Sequence, residues 1–225
     1  MSLYMNGTKI GTALGNLRHN NINVTMVYCN GVKVWEVSAP PGSQIFTTSG
    51  SFTVPTGIYT LEVTVIGAGG SGANSQVNGG GGYAGAVVTQ TVSVSPGQVI
   101  PVSIGAGGVA REFMNSGGYA NGAAGGNSSF GSVVAVGGSG GFIGNDYSGQ
   151  GALTAYGTND GSTYAFGVTI GFGGQGRIGN GGNGGGAYTS AQAGGVGAGG
   201  GGSCYSVAGT WSGTGGRGQV IVSWN

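Results

Sequence analysis

Residues 58–72 read IYTLEVTVIGAGGSG, an alternating apolar segment that runs without a break into a glycine tract. In the first part Tyr59, Leu61, Val63 and Val65 fall on one side of an extended chain, the period-two signature of a half-buried strand. In the second part no side chain is larger than that of Ser71. What holds that second part in place decides the fold.

The same pairing of textures repeats outward from this segment. SQIFTT (43–48), SFTV (51–54), VVTQTVSV (87–94), QVIPVSI (98–104), SSFGSVVAV (128–136) and the terminal QVIVSW (219–224) predict strands. A tight turn is expected at Ser95-Pro96-Gly97. Between the strands lie glycine tracts at 67–72, 78–85, 104–110, 117–126, 137–144, 171–187, 193–203 and 213–218. Of the 58 glycines in 225 residues, 51 follow residue 66. Ordering 51 glycines costs on the order of 50–100 kcal/mol of backbone entropy, with no side-chain burial to offset it. Disorder is the cheap solution, yet ten Tyr, seven Phe and three Trp with only 5% charged residues do not make a soluble disordered chain. Collagen needs a strict Gly-X-Y period and far more than five prolines.

Backbone-to-backbone contact is the remaining compensation. An extended threefold helix of the polyproline-II type rises about 3.1 Å per residue and points every N–H and C=O outward. Stripped of side chains, such rods can approach and pair those groups, with Cα–H···O contacts as second-order support. The expected fold is all-β and irregular: a small β-sandwich scaffold carrying a layered bundle of polyglycine-II rods, with almost no α-helix. The Val- and Ile-rich C-terminal segment returns the chain to the sheet it left.

Residues 1–66 are conventional by contrast. Asn30-Gly31 sits between two apolar-rich runs and predicts a hairpin turn. Ile10, Ala13, Leu14 and Leu17 carry helical spacing, opposed by Gly11 and Gly15. Pro40-Pro41-Gly42 marks a boundary, dividing the chain into 1–42 and 43–225.

Function classes fall away quickly. Six basic and five acidic residues cannot build a phosphate-neutralising stripe, so no nucleic-acid partner is expected. No apolar run nears the roughly 20 residues of a membrane span, and MSLYMNGTKIG lacks a secretory signal pattern, so folding in a cytoplasm is expected. Cys29 and Cys204 read as free buried thiols, with a distant bridge as the alternative. Gly67, Gly69 and Gly72 match a dinucleotide fingerprint, but ANSQVNGGGG cannot form the helix that must follow. His19 is the only histidine and stands remote from the main domain, so a Ser-His-Asp arrangement has no natural centre. Asp146 and Asp160 lie in the turn-like NDYSG and NDGS, where Asp serves conformation. No His/Cys spacing suits a metal, and neither cofactor nor enzyme activity is expected.

The residues left over are large and lie between tracts. Arg111, Phe113 and Met114 sit in VAREFMNS (109–116), Tyr147, Tyr156 and Tyr164 in 142–170, and Tyr188, Tyr205 and Trp211 farther on. If rods run out and back, these segments are the turns at their ends. Tyr, Trp, Arg and Met on held loops are the types enriched at recognition hot spots. The competing role is structural, as plugs of the rod ends.

The blocks FTVPTGIYTLEVTVIGAGGSG, GGGGYAGAVVTQTVSVSPGQVIPVSIGAGG, NSSFGSVVAVGGSGG and GGRGQVIVSW together resemble the glycine-rich domain of bacteriophage tail-fibre proteins, in particular the tip adhesins of T-even-type phages. The resemblance covers roughly 43–225. It implies a polyglycine-II bundle whose loops, with the residues just named, contact an outer-membrane protein or lipopolysaccharide. It also implies a place on the virion at the tip of a trimeric long tail fibre, with no insertion into the membrane. Residues 1–42 would then be the attachment segment, with Tyr4, Tyr28 and Trp35 as its aromatic contacts. They are short for that role in the best-known adhesins. The rival from another class is a structural or ice-binding polyglycine bundle without a receptor.

Overall fold

The computed structural model describes residues 3–5, 8–11, 18–19, 22–24, 26–75, 79–112, 120–143, 161–164, 168–171, 180–182, 184–185, 189–203 and 210–225. Among these there is no helix. Strands β1 (Leu3–Met5) and β2 (Thr8–Gly11), β3 (Arg18–His19) and β4 (Ile22–Asn23), and β5 (Met26–Cys29) and β6 (Val32–Glu36) pair as successive antiparallel ribbons. Ile10, a candidate for helical spacing, lies in β2. Asn30 and Gly31 turn the last ribbon with φ of 50° and 78°, the left-handed pair that a type I′ turn requires.

Eight further strands build the sandwich: β7 (Gly42–Phe46), β8 (Gly50–Thr53), β9 (Thr60–Ile66), β10 (Val87–Ser93), β11 (Val99–Ser103), β12 (Ser128–Phe130), β13 (Val133–Ala135) and, at the C-terminus, β16 (Gln219–Trp224). A separate ribbon pairs β14 (Gly161–Tyr164) with β15 (Val168–Gly171). One sheet has the order β10-β9-β16-β7 and the other β13-β12-β11-β8, both antiparallel. The turn at Ser95–Gln98 joins β10 to β11, with Gly97 at φ 77°, but carries the chain from one sheet to the other. SSFGSVVAV is not one strand. Gly131 at φ 55° folds it back, so that β12 and β13 pair Ser128 with Ala135 and Phe130 with Val133.

Leu61, Val63 and Val65 of β9 meet Val220 and Val222 of β16, and Phe52, Ile100, Val102 and Phe130 from the other sheet close the core. Each such side chain contributes roughly 1.5–3 kcal/mol by leaving water. Tyr59 sits just before the strand and is exposed instead, its hydroxyl donating to the Glu36 carboxylate. Phe52 packs against Phe130 at 5.8 Å and against Trp224 at 5.6 Å between ring centres.

Six of the strand ends continue directly into glycine tracts, and the hydrogen bonds of the central tract define their form. Along rod 1 (67–75), Gly67, Gly70 and Ala73 donate to Ala86, Tyr83 and Gly80. Ala68, Ser71 and Asn74 donate to Gly126, Ala123 and Ala120. Gly69 and Gly72 donate to Gly216 and Gly213. Every third N–H therefore reaches the same neighbour, and the partner number falls by three each time. That is a threefold extended helix with three antiparallel neighbours: rod 2 (79–86), rod 4 (120–127) and rod 9 (211–218).

The carbonyls of rod 1 face the other way. Ala68 and Ser71 accept from Gly138 and Gly141 of rod 5 (136–143), Gly70 and Ala73 from Gly200 and Ser203 of rod 8 (197–203), and Gly69 from Gly108 of rod 3 (104–111). These three run parallel to rod 1. Rods 2, 5, 4, 3, 9 and 8 close a ring around it, each bonded to the next, and every residue of 67–75 is buried. Rod 6 (180–185) and rod 7 (189–195) add an outer layer against rods 8 and 9. The expected polyglycine-II bundle is thus a hexagonal array, with 104–110 a full member of it.

Glycine is demanded by this spacing. A Cβ on Gly67 or Gly70 would overlap the carbonyl of Val136 or Ser139 in rod 5, and one on Gly69 or Gly72 those of Ala198 or Gly201 in rod 8. Ala68, Ser71 and Asn74 occupy the third register, and there side chains fit. On the outer rods the same period sets what is exposed: Asn121, Ala124 and Asn127 on rod 4, Val136, Ser139 and Phe142 on rod 5, Trp211, Thr214 and Arg217 on rod 9. Where no backbone acceptor is near, side chains supply one. Asn127 and Asn121 accept from Gly137 and Ile143 at 3.0 and 2.9 Å, and Ser128 accepts from Gly105 at 3.0 Å. Such caps blunt an edge that would otherwise recruit another chain.

Candidate functional site

Rods 1, 3 and 5 leave the sheets from β9, β11 and β13, and rods 2, 4 and 9 return to β10, β12 and β16. Every out-and-back connection between them therefore begins and ends at the pole remote from the sandwich, about 25 Å beyond the sheet at about 3.1 Å per residue. Rods 6 and 8 run parallel to rod 1 and end at this pole as well, whereas rod 7 starts there. The opposite pole receives the N-terminal part. Ala39 donates to Thr56 at 2.8 Å, the Trp224 indole donates to Pro40 at 3.0 Å, and Gly42 pairs with Trp224 at the end of β16 farthest from the bundle.

Of the residues expected to act in recognition, Arg111, Tyr164 and Trp211 are described, and the fold brings Arg111 and Trp211 together. Arg111 accepts from the Ser212 N–H at 2.9 Å through its carbonyl, and its own N–H donates to the Ser212 hydroxyl at 2.8 Å. The adjoining Glu112 and Trp211 form an antiparallel bridge. Trp211 is 43% exposed, its N–H on the Ser190 hydroxyl at 3.1 Å and its carbonyl on Ala191 at 2.9 Å. The Arg111 Nε donates to the Asn121 carbonyl at 3.2 Å, so the guanidinium lies across the start of rod 4. Phe142, 54% exposed, meets Tyr83 edge-on at 6.2 Å on another side of the same pole. The backbones here are pinned while indole, guanidinium, carboxylate and phenyl groups face outward. That arrangement suits non-covalent recognition, because the ordering cost is met before a ligand arrives.

Phe113, Met114, Tyr147, Tyr156, Tyr188 and Tyr205 lie outside the described residues, as do Asp146, Asp160 and Cys204. Tyr164 ends β14, opposite Val168. Of the residues expected in attachment, Tyr4 pairs with Lys9 in the first ribbon, Trp35 with Val27 in β5–β6, and Tyr28 is exposed beside Met26. Among the described residues no group of His, Cys, Asp and Glu could hold a metal, and no helix is long and apolar enough to cross a membrane. The N–H groups of Gly67, Gly69 and Gly72, the dinucleotide-like triplet, are spent on the carbonyls of Ala86, Gly216 and Gly213.

A sequence model described as a glycine-rich domain matches residues 47–165, just over half of the chain. The chain belongs to that glycine-rich domain family. The match spans rods 1–5 and the strands from β8 to β13, so the glycine-rich domain accounts for the centre of the hexagonal array and most of the sandwich. Comparison with curated proteins returns no match.

Asn74 is the residue at the remote pole that sequence reasoning passed over. It is completely buried, and its side-chain Nδ2 donates to the carbonyls of Arg111 at 3.0 Å and Thr210 at 3.1 Å. Two carbonyls facing one end of the amide fix that end as NH2. Its Oδ1 is buried with no partner among the described residues. The available signal was the spacing Ala68, Ser71, Asn74, one side-chain-bearing position in three.

Proposed function

We propose that this glycine-rich domain is a bacteriophage receptor-binding adhesin, carried at the tip of a trimeric long tail fibre and directed at a bacterial outer-membrane protein or lipopolysaccharide. The observation that carries the reading is polarity. The rods that leave the sheets end, and those that return to them begin, at one pole, where Trp211, Arg111 and Phe142 are exposed on pinned backbone. The segment that the tail-fibre resemblance assigns to attachment enters at the other pole, fastened through Ala39 and Pro40.

The mechanism is rigid presentation. Backbone hydrogen bonds order the stems, so a receptor does not have to supply the entropy of ordering them. The aromatic and basic groups supply stacking and hydrogen bonding, and the short rods, which apart from Arg111 carry a charge only at Arg217 among the described residues, keep the shaft inert. Cys29 and Cys204 have no part in this scheme. Purified protein added to candidate host cells is expected to decorate their surface and to reduce adsorption of phage from the same source. Failure to bind any cell that the phage infects would overturn the proposal.

A further inference from the structure

We propose that Asn74 is the positioning residue of the remote pole: its carboxamide locks the facing ends of rods 3 and 4 to those of rods 8 and 9, so that these four ends behave as one unit. Four stem ends meet at this residue. Rod 3 ends at Arg111, whose carbonyl takes one side-chain N–H of Asn74 at 3.0 Å, and rod 4 begins at Ala120, which exchanges two backbone bonds with Asn74 at 3.0 and 3.1 Å. Rod 8 ends at Ser203, which forms a parallel bridge with Asn74, and rod 9 begins just after Thr210, whose carbonyl takes the other side-chain N–H at 3.1 Å.

The chemistry at this point selects asparagine. Two carbonyls must be satisfied from one short side chain in a buried place, which calls for two donors in a plane. Serine has one donor, ionised aspartate has none, and glutamine adds a methylene that the packed array does not accommodate. A lysine would bring a charge into a fully buried site. The buried Oδ1, which has no partner among the described residues, is the cost of keeping the NH2 on the two carbonyls. Ser71, one turn earlier in the same register, faces only Ala123 and needs only a hydroxyl. The coupling stands whether or not the pole meets a receptor.

The test is amide hydrogen exchange on the whole chain, comparing the parent with Asn74→Ser and Asn74→Leu. Leucine keeps the volume and removes both donors, and serine keeps one. The amides of Arg111, Ala120, Ser203 and Ser212 are expected to exchange at least tenfold faster in Asn74→Leu and by an intermediate factor in Asn74→Ser. Those of Val63, Val65 and Val222 in the sandwich should keep the parental rate. Should Asn74→Leu fail to fold, the serine variant alone carries the comparison. Unchanged rates at the stems, or equal acceleration in stems and sandwich, would overturn the assignment. Coupling is then read from a cycle with Ser212→Ala, which removes the partner of the Arg111 N–H. Faster exchange at Ser203 in the Asn74 background, and no response there in the Asn74→Ser background, is expected. An identical response in both backgrounds would refute the link.

Discussion

Ser71 and Ala123 hold each other by two bonds: the Ser71 N–H donates to the Ala123 carbonyl at 2.9 Å, and the Ala123 N–H donates to the Ser71 hydroxyl at 2.8 Å. Ser71 is the midpoint of a buried rod, so this is a polar side chain in the centre of the array with one defined acceptor role. Replacing it with Ala strands the Ala123 N–H between rods 1 and 4. An unmet buried donor costs about 1–3 kcal/mol. Equilibrium urea unfolding of Ser71→Ala is expected to show a loss of that size with an unchanged m-value. A loss below about 0.5 kcal/mol would mean that another acceptor takes over.

Glycine in rod 1 is needed for distance rather than for a left-handed conformation. Gly70→Ala places a methyl group on the Ser139 carbonyl, and the rod cannot yield because six others surround it. Overpacking typically costs 1–3 kcal/mol, and a backbone obstacle puts this case at or above the top of that range. The matched control is Ser139→Ala, at an exposed position on rod 5, expected to stay within about 0.5 kcal/mol of the parent. Thermal melts of the two variants should differ plainly. Equal melts would show that the rods can slide apart.

How far the sequence disclosed this depends on where side chains carry the pattern. Leu61, Val63 and Val65 alternate, so β9 was legible to within two residues. Rod 1 was legible as far as Gly72, where the glycines thin out, but Ala73 and Asn74 continue the same threefold hydrogen bonding, and only Ser75 leaves it by donating to Ser203 of rod 8. Local composition has no means of showing this, because the bonds that hold Asn74 come from residues up to 136 positions away. Rod 3 was legible as a tract, and its extension to Arg111 was hidden by the side chains of Val109 and Arg111, which point away from the ring. Which rod lies beside which was not legible at all. Side chains specify the pairing of strands, whereas glycine tracts leave it to the sheets that feed them and to single caps such as Asn121 and Asn127. The turn at Gly131 was missed for a related reason: FGS lacks the Asn-Gly or Pro signal that marks other turns, and only its φ of 55° reveals it.

Among the described residues of the bundle, the turn that sends rod 7 back as rod 8 is the one place where a left-handed glycine is required. Gly197 has φ 69°, and an added Cβ would stand 2.6 Å from Cγ2 of Ile66, at the end of β9. Gly197→Ala therefore combines an unfavourable φ, about 1 kcal/mol, with a steric conflict that Ile66 can relieve only by turning its side chain. The expected total is about 2 kcal/mol by denaturant unfolding. Gly197→Ala with Ile66→Leu should recover part of it, since leucine carries a single branch at Cβ and can leave the clashing Cγ2 position empty at nearly equal volume. No recovery would place the whole effect in the backbone.

Trp211 distinguishes recognition from plugging. Its backbone is tied on both sides, to Ser190 and Ala191, and its side chain is 43% exposed, so the ring is dispensable for the bonds that hold rod 9. Trp211→Ala is expected to leave the unfolding midpoint within a few degrees of the parent while reducing binding to host cells at least tenfold. Truncating an aromatic anchor typically costs about 2 kcal/mol of binding or more, and tenfold corresponds to about 1.4. Measured by competition against labelled parent protein on the same cells, the loss should appear in dissociation rather than association, because the stems are already ordered. Phe142→Ala, at the same pole but beside Tyr83, supplies the comparison within the surface. A large fall in stability with binding retained by the folded fraction would make Trp211 a plug of the array and move recognition away from this corner of the pole.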